Sequence, residues 1–264
     1  MDRTLELKLM DELIALKRAK SPFLKDTTTR APVDHYSDPA RFELERERVL
    51  RRRPYAAAHV SELSEPGDFR RVTLAGLPVL ITRGKDGVAR AFLNVCRHRG
   101  APLVQQDTGC QHRFTCPYHA WTYASSGELI SAPHLKSGFP DLDKGDIALT
   151  PLPTWEGLGF VWVVPQANGA FDFDAFFAPV AKEFGALNLA NHTIAAEDTI
   201  EVACNWKIIV EGGIEAYHFK VAHRDTIGPF FEDNLSSIEC LGDHMRSILP
   251  RVTMANLDPD TRED

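Results

Sequence analysis

Four residues of the stretch Asn94–Tyr123 have types and spacing suited to metal binding: Cys96-x-His98 and, after seventeen intervening residues, Cys116-Pro117-Tyr118-His119. Two thiolates and two imidazoles fit a tetrahedral zinc site. They also fit a two-iron, two-sulfur cluster in which one iron takes both cysteines and the other both histidines. Zinc fingers more often draw a Cys–Cys pair from one element and a His–His pair from the next. Here each pair is mixed, so two facing loop tips would each give one ligand to each iron, which points to a [2Fe–2S] cluster. A second stretch, Asn205–His223, carries Glu215, His218 and His223. Glu215 and His218 are three apart and share a helix face. His218 and His223 are five apart, which on an ideal helix separates their directions by about 140°. Both reach one metal only if the helix ends or is distorted between them, and such a pair on its own is more often structural.

The elements that must hold the first pair of loops read as short strands. FRRVTLAG, LPVLITRG and VARAFLNV are β-branched runs divided by Ala75-Gly76 and Asp86-Gly87, a hairpin signal. HAWTYASSGELIS and LGFVWVVP continue the pattern beyond the second ligand pair. Together they predict a small antiparallel β domain over residues 54–165, bounded by Pro165-Gln-Ala-Asn-Gly169. Residues 1–53 read as helices and a linker. Leu5, Leu9, Leu13 and Leu16 recur at helical spacing within residues 4–19. Residues 21–37 are an extended, Ser/Thr/Pro-rich connection, and Asp38 and Pro39 open a second helix that stops before Pro54. Its Arg51-Arg52-Arg53 end reads as solvated cations at a helix C-terminus, with an acidic electron donor as the alternative partner. In residues 166–264, FDFDAFFAPVAKEFGAL predicts helix, residues 193–204 a strand, and Asn205 the cap of a helix running through the second stretch.

At 264 residues the chain can bury a sizeable core, and 44% hydrophobic with 25% charged residues is a soluble globular composition. A net charge of −7 gives no reason to expect nucleic acid or an anionic membrane as partner. The N-terminus lacks the uncharged apolar core of a signal peptide, and no apolar run approaches a membrane span. Five cysteines, two of them candidate ligands, suggest a reducing cytoplasm rather than a disulfide framework. Cys110, Cys204 and Cys240 are expected as free, partly buried thiols, and Cys110 and His112 fall outside any ligand pattern.

The first stretch resembles the Rieske domain of ring-hydroxylating (Rieske non-haem iron) oxygenases, whose pattern runs C-x-H-R-G, then C-P-Y-H-x-W. Cys96, His98, Arg99, Gly100, Cys116, Pro117, Tyr118, His119 and Trp121 match it, while Ala120 stands where glycine is usual. Respiratory Rieske proteins carry a further cysteine in each loop; here those positions are Ala101 and Tyr118. The N-W-K…E-x-Y-H-x₄-H run likewise resembles the mononuclear-iron motif of the same oxygenases. The resemblance implies an α+β chain, with a small antiparallel all-β Rieske domain and an incomplete helix-grip catalytic domain built on an antiparallel sheet. It implies a [2Fe–2S] cluster on Cys96, His98, Cys116 and His119, and mononuclear Fe(II) on His218, His223 and a carboxylate. Glu215 becomes the acid that bridges a cluster histidine of one subunit to an iron histidine of the next.

In the family the third iron ligand is an Asp or Glu far downstream, whereas this chain ends forty-one residues after His223. Glu239, Asp243, Asp258, Asp260, Glu263 and Asp264 lie in no matching context, so the ligand is expected beyond residue 264 and the chain reads as a partial or truncated α subunit. Gly212-Gly213 replaces bulkier residues, for which close backbone packing or local unwinding would account. The implied function is an α subunit that takes electrons from a flavin- or ferredoxin-containing reductase. With O2 it would hydroxylate, or oxidatively demethylate, an organic substrate such as an aromatic acid or a quaternary ammonium compound. The assembly implied is a homotrimer without nucleic acid or membrane partners. No nucleotide-binding glycine motif is present, so the reductase is a separate protein. The alternative is a non-catalytic Rieske electron-transfer or assembly protein with a vestigial second domain.

Overall fold

A computed structural model describes residues 3–21 and 27–256. Two compact units make up the chain: residues 39–175 with 187–199, and the described parts of 1–38, 176–186 and 200–264.

The first unit opens with the helix Pro39–Arg48 and then turns to strands. These are β1 (Tyr55–His59), β2 (Asp68–Leu74), β3 (Leu77–Arg83), β4 (Ala89–Leu93), β5 (Thr108–Cys110), β6 (Arg113–Thr115), β7 (Thr122–Ala124), β8 (Leu129–Ser131), β9 (Pro151–Leu152), β10 (Thr154–Gly157) and β11 (Phe160–Val163). They form antiparallel sheets ordered β5-β2-β3-β4-β9, β1-β11-β10 and β6-β7-β8. The β2–β3 turn sets Ala75 and Gly76 at φ of +48° and +80°. Two left-handed centres give a turn whose twist matches the flanking strands.

Strand β3 is buried on both faces, and alternation decides which residue faces which side. Leu80 packs with Phe69, Phe92, Phe114 and Tyr123, whereas Val79 and Ile81 pack with Leu63, Val161 and Val163. The five-stranded sheet therefore separates two cores, and Cys96 and Cys116 lie in the first of them. Arg83 ties the sheets together: its Nε donates to the Leu63 carbonyl at 2.6 Å and its Nη1 to the Gly87 carbonyl at 2.9 Å, and it pairs with Glu156.

In the second unit the helix Arg3–Ala19 buries Leu9, Leu13 and Ile14. Leu13 and Ile14 pack against Leu235 and Met254, beside the hairpin β12 (Ser237–Leu241) and β13 (His244–Ile248). Within residues 171–187 the helical expectation becomes two short helices, Phe173–Phe177 and Ala181–Ala186, with Pro179 between them. Among the described residues, no helix is long and apolar enough to cross a membrane.

Four expectations need correction. Residues 193–204 form no strand; they are exposed coil, with Ile200 81% accessible. A strand exists only with a ladder partner, and β12 and β13 pair with each other alone. The helix begun by Asn205 does not run to His223 but stops at Ile214. Cys110, Cys204 and Cys240 are free, yet exposed rather than partly buried. Asp258, Asp260, Glu263, Asp264 and residues 22–26 of the 21–37 connection lie outside the described residues, and the end of that connection, Asp34–Ser37, is a helical turn rather than extended.

Candidate metal centres

Two loops of one backbone design hold the first four candidate ligands. In each, the cysteine N–H donates to the carbonyl five residues on: Cys96 to Ala101 and Cys116 to Trp121, both at 2.8 Å. The cysteine carbonyl accepts from the N–H four residues on, Gly100 at 2.9 Å and Ala120 at 3.0 Å. The path requires that donor residue to be left-handed, and Gly100 has φ +76°, Ala120 +55°. Glycine adopts this freely, whereas alanine does so at a cost of roughly 1–2 kcal/mol. The small residue fits, but with strain that the usual glycine would not carry.

Asn94, 2% exposed, anchors the first loop. Its Nδ2 donates to the Val104 carbonyl at 2.7 Å, and its Oδ1 accepts the N–H groups of Leu103 and Val104 at 3.2 and 3.0 Å. Cys96 and Cys116 are buried, and the His98 and His119 rings lie 4.7 Å apart at 72°. His98 stacks on Trp121 at 4.6 Å, while Tyr118 leans on His119 at 3.8 Å. The Nδ1 atoms of both histidines are buried without a hydrogen-bond partner. Burial, aided by His119 and Arg99, lowers the His98 pKa and favours the neutral ring that a metal requires.

Behind Cys96 lies Tyr123, fully buried. Its oxygen accepts the Arg97 N–H at 3.1 Å and sits 3.5 Å from the Cys96 sulfur. Burial, then the neighbouring Cys96, pushes the phenol pKa upward, so it keeps its proton. With its oxygen already accepting from Arg97, the O–H is left to donate to sulfur.

The second candidate site is made by a break in the chain path. Asn205 caps the helix Trp206–Ile214 by accepting the Lys207 N–H at 3.1 Å. Glu215 then turns extended, at φ −113° and ψ 148°, and a separate short helix spans Phe219–Ala222. His218 and His223 flank that short helix, with ring centroids 5.1 Å apart. Glu215 and His218 meet through the turn rather than across a helix face: the His218 N–H donates to Oε2 at 3.3 Å, and His218 Nδ1 hydrogen-bonds Oε1. Burial is the largest single influence on Glu215 and pulls its pKa up. The bonds from the His218 ring and the Tyr217 and His218 backbones together outweigh it, so the carboxyl sits below its usual range. A Cβ added at Gly212 or Gly213 would meet nothing within 4 Å, so close packing within the chain does not explain the pair. The helix ends one residue later, as local unwinding requires.

Residues 53–156 match the Rieske [2Fe-2S] domain family, and residues 189–263 match the ring hydroxylating alpha subunit (catalytic domain) family. The chain belongs to the Rieske ring-hydroxylating oxygenase α subunits. The glycine betaine monooxygenase oxygenase subunit of Pseudomonas aeruginosa is 30% identical over 234 residues, covering 88% of this chain and 54% of that protein. The carnitine monooxygenase oxygenase subunit of Acinetobacter pittii is 34% identical over 215 residues, covering 80% and 55%. The solved apo form of a quaternary ammonium Rieske monooxygenase aligns with a TM-score of 0.74 at 29% identity, covering 84% of this chain and 62% of that one. The chain spans about half the length of the curated relatives it matches.

These matches imply a Rieske cluster and a mononuclear iron as the cofactors of this Rieske oxygenase subunit. The residues present fit the cluster. Two buried Nδ1 atoms without partners and two buried thiols are a donor set lacking its acceptor. Among the described residues, no three His, Cys, Asp or Glu side chains converge as ligands of one ion. The mixed Cys–His loops suit a cluster asking two protein ligands of each iron. At the second site two imidazoles meet, and the carboxylate of Glu215 is turned onto one of them. Glu239 pairs with Arg246 instead. Asn94 and Tyr123 escaped the sequence reading, although Tyr123 lies two residues past Trp121 and packs in the same core.

Proposed function

We propose that this chain supplies the cluster and the two-histidine iron site of a Rieske oxygenase that hydroxylates or oxidatively demethylates a quaternary ammonium compound. The observation that carries the reading is the pairing of His218 and His223 at the two ends of one short helix, with Glu215 fixed on His218 Nδ1. A ring held at Nδ1 presents its Nε2 outward, the arrangement by which a carboxylate orients a metal-binding histidine. Cys96, Cys116, His98 and His119 hold the cluster within residues 54–165, and His218 and His223 hold the iron within residues 166–264. When bound, the cluster supplies single electrons and the iron supplies O2 chemistry. Glu215 orients His218 and, in a homotrimer, reaches the neighbouring subunit's cluster histidine. The substrate class follows the relatives, which are named for glycine betaine and carnitine. A flavin- or ferredoxin-containing reductase serves as donor in the cytoplasm, a setting that suits three exposed thiols.

The test compares iron content, cluster spectrum and single-turnover product from a trimethylammonium substrate. Glu215→Gln should leave both metal sites filled and reduction by dithionite unchanged, while product falls by orders of magnitude, because the amide cannot stabilise a positive imidazole. His218→Ala should empty the mononuclear site and spare the cluster spectrum. Near-normal product in Glu215→Gln overturns the bridging role, and a colourless protein with stoichiometric zinc overturns the whole reading.

A further inference from the structure

Strand β6 runs directly into Cys116, and three openings flank it. Around the histidines lies a recess of about 710 Å³ with apolar walls that include Tyr118, Trp121, Pro133 and Phe139, edged by Thr115. A separate cleft of about 410 Å³ runs from Pro117 and Thr115 past Gln105 and Gln111 to Arg113. Arg113 is shared with a third cleft of about 340 Å³, which adds Lys85, Arg90 and His112. Asp86 neutralises Arg90 through bonds of 2.9 and 2.6 Å. Lys85 and Arg113 are exposed and have no acidic partner among the described residues. A chain of net charge −7 thus carries, beside one short strand, two cations that make no ion pair among the described residues.

We propose that the surface along β6, from Lys85 and Arg113 to Thr115, is the docking site for an acidic electron-donor protein. The inference rests on the Rieske reading above and adds the place where the electron enters. An acidic donor is repelled by most of this chain, and a local patch of opposite sign focuses its approach here. Arg113 stands three strand residues, roughly 10 Å, from Cys116. Brief redox encounters use small contact areas, which the polar cleft beside Thr115 and Arg113 provides, whereas apolar walls around the histidines suit a lasting contact. Each encounter moves one electron, lost by the donor and gained at the two-iron site, with no bond made or broken.

The test uses the cluster-loaded protein and an acidic [2Fe–2S] ferredoxin as probe, with binding followed by surface plasmon resonance at low and high salt. Lys85→Glu with Arg113→Glu should raise Kd tenfold or more at low salt and slow reduction by the ferredoxin in proportion. The difference should close at high salt, where exposed charges are screened. Lys85→Gln with Arg113→Gln should show a smaller loss in the same direction. Reduction by dithionite and the visible spectrum should not change in either variant. Arg52→Glu with Arg53→Glu, on the other arginine run, should leave Kd unaltered. An unchanged Kd in the Lys85/Arg113 variants, an equal loss in the Arg52/Arg53 variant, or displacement by inorganic phosphate beyond its effect on ionic strength would overturn the proposal. Absence of a cluster spectrum from the unmodified protein would instead sink the functional reading on which it rests.

Discussion

Tyr123→Phe removes one oxygen from the core beside Cys96 and should lower the reduction potential of the cluster. The lost O–H is the donor to the Cys96 sulfur at 3.5 Å, which keeps only the backbone N–H of His98 as a donor once the phenol is gone. A hydrogen bond to a charged acceptor is worth roughly 1.5–3 kcal/mol, and it strengthens when an added electron raises the charge on sulfur. Taking about 1 kcal/mol as the difference between the two redox states, a one-electron couple at 59 mV per tenfold falls by about 40 mV. Stability should fall too, because the Arg97 N–H loses its acceptor; for a half-buried amide that is about 1 kcal/mol. The assay is a redox titration followed by circular dichroism in the visible, with iron and sulfide measured on the same samples. A shift under about 10 mV with a full cluster, or any upward shift, would refute the argument, since 10 mV is only about 0.2 kcal/mol for one electron.

Ala120→Gly should raise stability by about 0.5–1 kcal/mol, the relief of a left-handed alanine less the extra freedom glycine gives the unfolded chain; a guanidinium midpoint that does not rise would show the loop to be unstrained. Asn94→Ala strands two backbone N–H groups and a carbonyl at a buried site and should cost about 3 kcal/mol or more, read from the same unfolding curves. Arg90 first, then the Val88 N–H, holds the Asp86 carboxyl well below the usual carboxylate range. A depressed folded pKa means that its support of the β3–β4 turn is intact above about pH 4 and is lost only as pH falls through the folded value. A carbon-13 titration of Asp86 with an ordinary midpoint would contradict this.

Where structure follows from neighbouring residues, the sequence was a sufficient guide. The paired Ala-Gly and Asp-Gly turns set the hairpins, Pro39 opened its helix, and mixed ligand pairs faced each other from two loops. Residues 193–204 have the composition of a strand but not the neighbour, and no local pattern contains a ladder partner. The expected helix end falls between His218 and His223, whereas the chain breaks earlier, at Glu215, and a one-turn helix joins the two histidines; helical periodicity runs on through the glycine pair and does not mark the place. Tyr123 and Asn94 act through contacts fixed by the packing of β4, β7 and the loops. Their residue types do not distinguish a donor to sulfur from an ordinary core tyrosine, nor a loop anchor from a turn asparagine.

The ligand loops are written differently, Cys-x-His and Cys-x-x-His, yet they trace the same six-residue frame. The histidine occupies the third seat in one and the fourth in the other, so the added residue in the motif lengthens nothing. Of these two seats each frame leaves one without a ligand, filled by Arg99 in the first and Tyr118 in the second. These two meet as well, with the guanidinium carbon 5.6 Å from the tyrosine ring centre. The site is a doubled exchange: two histidines pair to take metal, and the two residues that displaced their counterparts pair over the protein surface. Swapping the seats within one loop alone would break both pairs at once, whereas trading the whole hexapeptides between loops would keep each pair's membership.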